Sequence, residues 1–166
     1  MASSASSPAA SPLFLREEEI RRGIELLQFG HAALAAIMDP VLERHGIGRA
    51  HQRALYFIGR RPGLSVSALI RLLGITKQSL GRVLDELVER GLVEASPGLR
   101  DRRQRLLRLT SEGEAIETAL FDAMRERMAG AYSAAGQGSV TGFWRVLENL
   151  LDGEDQRLVA GLQIKR

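Results

Sequence analysis

Cysteine is absent from the 166 residues, which excludes disulfides, thiolate metal sites and thiol redox sensing together. Lysine is nearly absent as well, since 21 of the 23 basic residues are arginine. The guanidinium fork suits phosphates and base edges, although a bias in genomic base composition would produce the same excess. No apolar run approaches the roughly 20 residues that a bilayer span requires. The N-terminal MASSASSPAASP has neither the basic start nor the apolar stretch of a secretory signal, and Glu17, Glu18 and Glu19 oppose a transit peptide. These absences predict a cytoplasmic protein with no membrane partner. Enzyme chemistry is missing its usual marks: there is no glycine-rich phosphate loop, no His-x-x-x-His pair and no nucleophile elbow. His31, His45 and His51 lack ligand spacing, and without cysteine a zinc site would need carboxylates that the sequence does not place. Neither catalysis, nor a metal, nor a cofactor is expected.

What is present is the composition of an ordinary globular domain, 45% hydrophobic and 26% charged. The formal charge of +3 is unevenly spread. Residues 1–59 carry six basic and six acidic side chains, residues 60–108 eleven and five, and residues 109–166 six and nine. A basic middle third between neutral and acidic flanks is a local electrostatic footprint, of the kind expected where one subregion meets phosphates.

Residues 1–12 are Ser, Ala and Pro without an apolar period and read as a disordered tail. Ile20, Ile24, Leu27, His31, Leu34, Met38 and Val41 then recur at helical steps, which predicts one long helix over about 14–45, kinked or restarted at Pro40 with Asp39 as cap. A seam this long requires a partner helix. A helix over 49–60 follows, ended by Arg61-Pro62-Gly63. Ser65 caps a short helix through Leu73, Gly74 supplies a turn, and Thr76 caps a helix through Arg90 that stops at Gly91. Two helices joined by a short glycine-containing turn form a helix-turn-helix pattern. Leu92–Ala95 and Gln104–Leu109 read as a hairpin around an arginine-rich loop. Thr110 or Ser111 starts a helix carrying Ile116, Leu120, Met124 and Met128, broken at Gly136 and Gly138, and a last helix carries Val140, Phe143, Trp144, Leu147 and Leu151.

At about 100° per residue, Leu80, Leu84 and Leu87 share the inner face of the helix over 76–90. Gln78 and Arg82 point outward, flanked by Lys77 and Ser79. Farther along, the outer face turns acidic at Asp85, Glu86 and Glu89, so only its first two turns can lie deep against phosphates. Gln pairs bidentately with adenine and Arg with guanine. The loop carries Arg100, Arg102, Arg103 and Arg105, and a carboxylate at Asp101 can hold the guanidinium of Arg103 in one direction. An exposed arginine there suits the electronegative minor groove. Ordinary solvated polar faces are the alternative for both elements.

The run Ile75-Thr76-Lys77-Gln78-Ser79-Leu80, the stretch Leu84 to Val93, and Asp101-Arg102-Arg103 followed by Leu109-Thr110-Ser111-Glu112-Gly113 resemble the MarR family of winged helix-turn-helix regulators, over roughly residues 20–155. The resemblance implies a mainly α fold with a small β-hairpin wing and N- and C-terminal dimerisation helices. On this chain they would be a dimerisation helix in 13–48, a DNA-binding lobe in 49–110 and dimerisation helices in 111–166. It implies a homodimer on a pseudo-palindromic duplex, with Thr76, Lys77, Gln78, Ser79 and Arg82 in the major groove. Arg100, Asp101, Arg102, Arg103 and Arg105 would form the wing, with Arg103 as the wing-tip arginine and Asp101 as its partner. Gly81 departs from the family's common threonine-like residue, which leaves open the backbone contact expected there. Many members bind a small, often phenolic, effector, for which Phe29, His31, His51, Arg53 and Tyr56 are the candidates. His31, breaking an apolar seam, reads more readily as a hydrogen-bonded interface histidine. The competing function is a protein-interaction module that kept the winged fold and lost DNA binding, but Gln78, Arg82, Arg102 and Arg103 would then have no reason to stay together.

Overall fold

Pro40 determines where the first long helix ends. A proline ring clashes with the carbonyl four residues earlier and offers no N–H; that carbonyl belongs to Ala36, the last residue of helix α1 (Glu17–Ala36) in the computed structural model. The structure describes residues 12–98 and 101–162. The tail expected over 1–12 lies outside them except for Pro12, which opens a short 3-10 helix, Pro12–Leu15. The single helix expected over 14–45 is therefore three pieces, the third being α2 (Asp39–His45). Asp39 is not its cap: Met38 holds the N-cap position without a side-chain bond, and the Asp39 carboxylate meets Arg49 at 2.5 Å.

The chain divides into two compact units between Ile37 and Met38. In the first, α1 is an amphipathic rod about 30 Å long, with Glu17, Glu18 and Glu19 at the positive end of its dipole and a Glu17–Arg21 pair one turn apart. It has no buried residue, and Ile20, Ile24, Leu27 and Phe29 are all exposed, Phe29 by 75%. The seam drawn from Ile20 to Val41 is thus discontinuous, because Met38 and Leu42 sit in the core of the second unit.

That unit comprises α2, α3 (Arg49–Arg60), strand β1 (Leu64–Ser65), α4 (Val66–Leu73), α5 (Lys77–Glu89), β2 (Val93–Pro97), β3 (Arg105–Leu109), α6 (Ser111–Ala135), α7 (Gln137–Leu150) and α8 (Gly153–Leu162). Leu55 and Ile58 of α3, Leu69 of α4, Leu80 and Leu87 of α5, Leu107 of β3 and Leu120 of α6 converge in one core, each almost wholly excluded from solvent. A leucine so buried contributes about 1.5–3 kcal/mol. The wing is more than a hairpin. Two residues of β1 add to β3, giving a three-stranded antiparallel sheet in the order β1-β3-β2, with Leu64 opposite Leu107. A two-residue strand is too short to show an alternation in sequence. Strand β2 extends to Pro97, which an edge strand tolerates.

The C-terminal region also differs from expectation. Gly136 (φ +79°) breaks the helices, while Gly138 lies inside α7. Tyr132 and Trp144 hold α6 to α7 through an edge-on ring contact and a 3.0 Å bond from the indole N–H to the phenolic oxygen. A further helix, α8, follows, capped by Asp152, whose carboxylate accepts the Glu154 and Asp155 N–H groups at 2.8 and 2.9 Å. These bonds lower its pKa. At the far end of α8 the Leu162 carbonyl accepts from Arg60 at 2.8 Å.

Two positions carry measurable consequences. Gly113, in the first turn of α6, has no room for a side chain, since a Cβ there would stand 2.0 Å from the Leu92 carbonyl oxygen. Gly113→Ala should destabilise the fold by at least the ~1–3 kcal/mol of an overpacked site, read as a lowered denaturant midpoint. Glu117 packs beside Gly59 on α3. Burial pushes its carboxyl pKa up, against the opposing pull of Arg60 and with a smaller push from Asp122. A raised folded-state pKa means that stability gained in acid is lost as pH rises through that value. Glu117→Gln should therefore raise the unfolding midpoint at neutral pH, and the gain should disappear in acid.

Candidate nucleic-acid interface

Each turn of the helix-turn-helix is built from local chemistry. Ser65 Oγ accepts the Ala68 N–H at 3.2 Å and starts α4, and Gly74 ends it in the left-handed region at φ +62°. Thr76 Oγ1 accepts the Ser79 N–H at 3.2 Å and starts α5. The inner face of α5 is anchored by Leu80, Leu84 and Leu87, which leaves Lys77, Gln78, Ser79 and Arg82 exposed on its first two turns. Thr76 is exposed as well, but its hydroxyl is engaged with Ser79.

The acidic half of α5 faces other tasks. Glu86 meets His51 Nε2 at 2.8 Å, while His51 Nδ1 accepts the Gly48 N–H at 3.1 Å. The imidazole thus bonds through both nitrogens, joining the start of α3 to the middle of α5. Just past the end of α5, Arg90 donates to the His45 carbonyl and, at 2.8 Å, to the Gly46 carbonyl. Sequence reasoning did not identify Arg90 or Glu86 as anchors, because their partners lie 35 to 45 residues away.

The wing tip is a hydrogen-bonded turn, not an extended strand. Gly98 N–H donates to the Gln104 carbonyl at 2.9 Å, and Gln104 N–H to the Asp101 carbonyl at 3.0 Å. Asp101 does act on Arg103, but through the backbone: its carboxylate accepts the Arg103 N–H at 3.0 Å. No ion pair between Asp101 and the Arg103 guanidinium is found among the described residues. Arg102, Arg103 and Arg105 are exposed; Arg100 lies outside the described residues. Lys77 of α5, Arg103 and Arg105 of the wing, and Ser65 and Ser67 at the start of α4 line one groove of about 460 Å³. Of the residues expected to contact DNA, Lys77, Arg103 and Arg105 share this concavity, whereas Thr76, Gln78, Ser79 and Arg82 do not line it.

The effector candidates fall on two helices. Phe29 and His31 are exposed on α1. His51, Arg53 and Tyr56 are on α3, where Arg53 donates to the Leu73 carbonyl at 2.8 Å and so ties down the end of α4. Tyr56 lies half-buried, edge-on to Phe57. Among the described residues no cluster of three His, Asp or Glu side chains could hold a metal, and no helix is long and apolar enough to cross a membrane.

Comparison with known proteins agrees with this geometry. The family described as "MarR family" matches residues 45–104. The HTH-type transcriptional regulator PetP of Rhodobacter capsulatus is 50% identical over 140 residues, 84% of each chain. Among solved structures, a mutant MarR from E. coli complexed with operator DNA superposes with a TM-score of 0.64 at 24% identity, covering 85% of this chain and 99% of that one. NadR in complex with 4-hydroxyphenylacetate gives 0.67 at 24% identity, covering 89% and 96%. At that identity these two structures establish the fold.

The turn bond at the wing predicts a separable result. Asp101→Ala should speed hydrogen exchange at the Arg103 amide, whereas Asp101→Asn, which keeps an acceptor oxygen, should leave it protected; equal exchange in both variants would show that the bond does not order the turn.

Proposed function

The chain belongs to the MarR family of transcriptional regulators, and from that premise we propose that it acts as a homodimer reading a pseudo-palindromic DNA duplex. The observation that carries this reading is the shared groove. Side chains able to read bases, Gln78 and Arg82, are exposed on the first two turns of α5, and Lys77 of that helix lines one concavity with Arg103 and Arg105 of the wing. Such a helix fits the major groove by its N-terminal residues, and Arg102, Arg103 and Arg105 suit the adjacent minor groove. Two copies would place their α5 helices about one DNA turn apart, ~34–36 Å.

The dimer is supported by apolar surface that this chain leaves in water. Ile20, Ile24 and Leu27 on α1, and Phe143, Trp144, Val146 and Leu150 on α7, are exposed, Trp144 by 50%. Patches of this kind mark interaction surfaces. Sedimentation should show a dimer at micromolar concentration, and a stable monomer would overturn it.

A small aromatic effector is a second part of the proposal, suggested by a structural neighbour that holds 4-hydroxyphenylacetate. Tyr56 is the α3 side chain best suited to it. His51 and Arg53 would contact it by giving up the bonds that hold α5 and α4, which would couple effector to DNA. Phe29 and His31 are proposed on their exposure alone.

Mobility shifts against the DNA upstream of the chain's own coding sequence test the central reading. Gln78→Ala or Arg82→Ala should weaken cognate binding by about 1–3 kcal/mol and relax the preference at particular base pairs. An equal loss on cognate and scrambled duplexes would show that they only grip the backbone. Arg103→Ala should weaken binding to every duplex and flatten the plot of log affinity against log salt by roughly 0.9 for each phosphate no longer neutralised, one in each half of the dimer.

A further inference from the structure

Gly81 stands inside α5, where glycine is about 1 kcal/mol less favourable than alanine. Its backbone is not in the left-handed region, so no turn requires it. A Cβ built there meets nothing within 4 Å among the described residues, so packing does not require it either. What surrounds it on the helix surface is the proposed reading face: Lys77 one turn before, Gln78 three residues before, Arg82 beside it and Asp85 one turn after. Gly81 lines the same groove as Lys77, Arg103 and Arg105.

The major and minor grooves of a duplex are separated by a sugar-phosphate strand. A protein with one element in each groove must straddle that strand, so on the DNA-binding reading the strand would pass between α5 and the wing. We propose that Gly81 is a positioning residue for DNA: its missing side chain lets this strand settle against α5 until its phosphates come within reach of Lys77, Arg103 and Arg105. Close approach of a foreign backbone is a recurrent use of glycine, and charge attraction falls steeply when the pair is held apart in salt. Asp85 also lines the groove and repels phosphate, which places the seat toward the Lys77 end. This inference rests on the DNA-binding reading above.

The test uses Gly81→Ala and Gly81→Leu, neither of which alters charge, with thermal melts and salt-dependent binding to the upstream duplex. Gly81→Ala should raise the melting midpoint by about 2–4 °C. Gly81→Leu should weaken binding roughly tenfold, equivalent to about 1.4 kcal/mol, with Gly81→Ala shifted less in the same direction. The decisive readout is the slope of log affinity against log salt, which a lifted strand should flatten by up to roughly 0.9 for each phosphate moved out of reach. If the parent protein binds no duplex, the DNA-binding reading itself fails. If the parent binds and the folded variants bind equally, or bind more weakly with an unchanged salt slope, the strand does not lie against Gly81 and this inference is overturned.

Discussion

The joint around Thr110 is the constraint through which α5 and the wing are held to the rest of the unit. Thr110 Oγ1 donates to the Gly91 carbonyl at 2.7 Å and accepts the Gly113 N–H at 3.1 Å, while the Thr110 N–H reaches the Leu92 carbonyl at 3.2 Å. One residue thus joins the turn after α5, the start of β2, the end of β3 and the first turn of α6. The joint closes only because Gly113 brings no Cβ against Leu92. Ile116 and Leu120 of α6 add apolar contacts to this polar joint, since they share one core with Leu87 of α5 and Leu107 of β3.

Polar ties add to this fixation. Arg90 grips the carbonyls of His45 and Gly46, His51 spans from the start of α3 to Glu86, and Arg53 holds the last turn of α4. The acidic second half of α5 then has a structural use. Asp85, Glu86 and Glu89 would repel phosphates, yet Glu86 is employed in anchoring the helix whose other end is cationic. Charge along α5 separates the turns that can enter DNA from those that hold the helix in place. Preorganisation of this kind reduces the ordering that binding would otherwise have to supply.

Much of this was legible in the sequence because it depends on local chemistry. The caps at Ser65 and Thr76, the helix start at Thr110 or Ser111, the turn at Gly74 and the left-handed Gly91 are set by residues within three or four positions of the groups they satisfy. The leucines at 80, 84 and 87 announce the buried face of α5, and with it the outward direction of Gln78 and Arg82, by period alone. The elements that escaped were short or long-range. Strand β1 exists only as a partner of β3; α8 begins at Asp152, a cap within a stretch that carries no clear apolar period.

Sequence by itself thus determined the ends of α3, α4 and α5, the buried face of α5 and the concentration of arginine in the middle third, since each follows from spacing along one stretch of chain. Tertiary structure decided what those pieces do to one another. The periodicity from Ile20 to Val41 could not reveal that Met38 and Leu42 are buried while Ile20 and Ile24 are exposed, because period records a face and not what covers it. Nor could spacing reveal that Asp101 would bond the Arg103 amide in place of its guanidinium, which depends on the turn that β2 and β3 impose on the loop. The open space beside Gly81 is of the same kind, since a missing side chain becomes part of a groove only when α4 and the wing are brought up to face it.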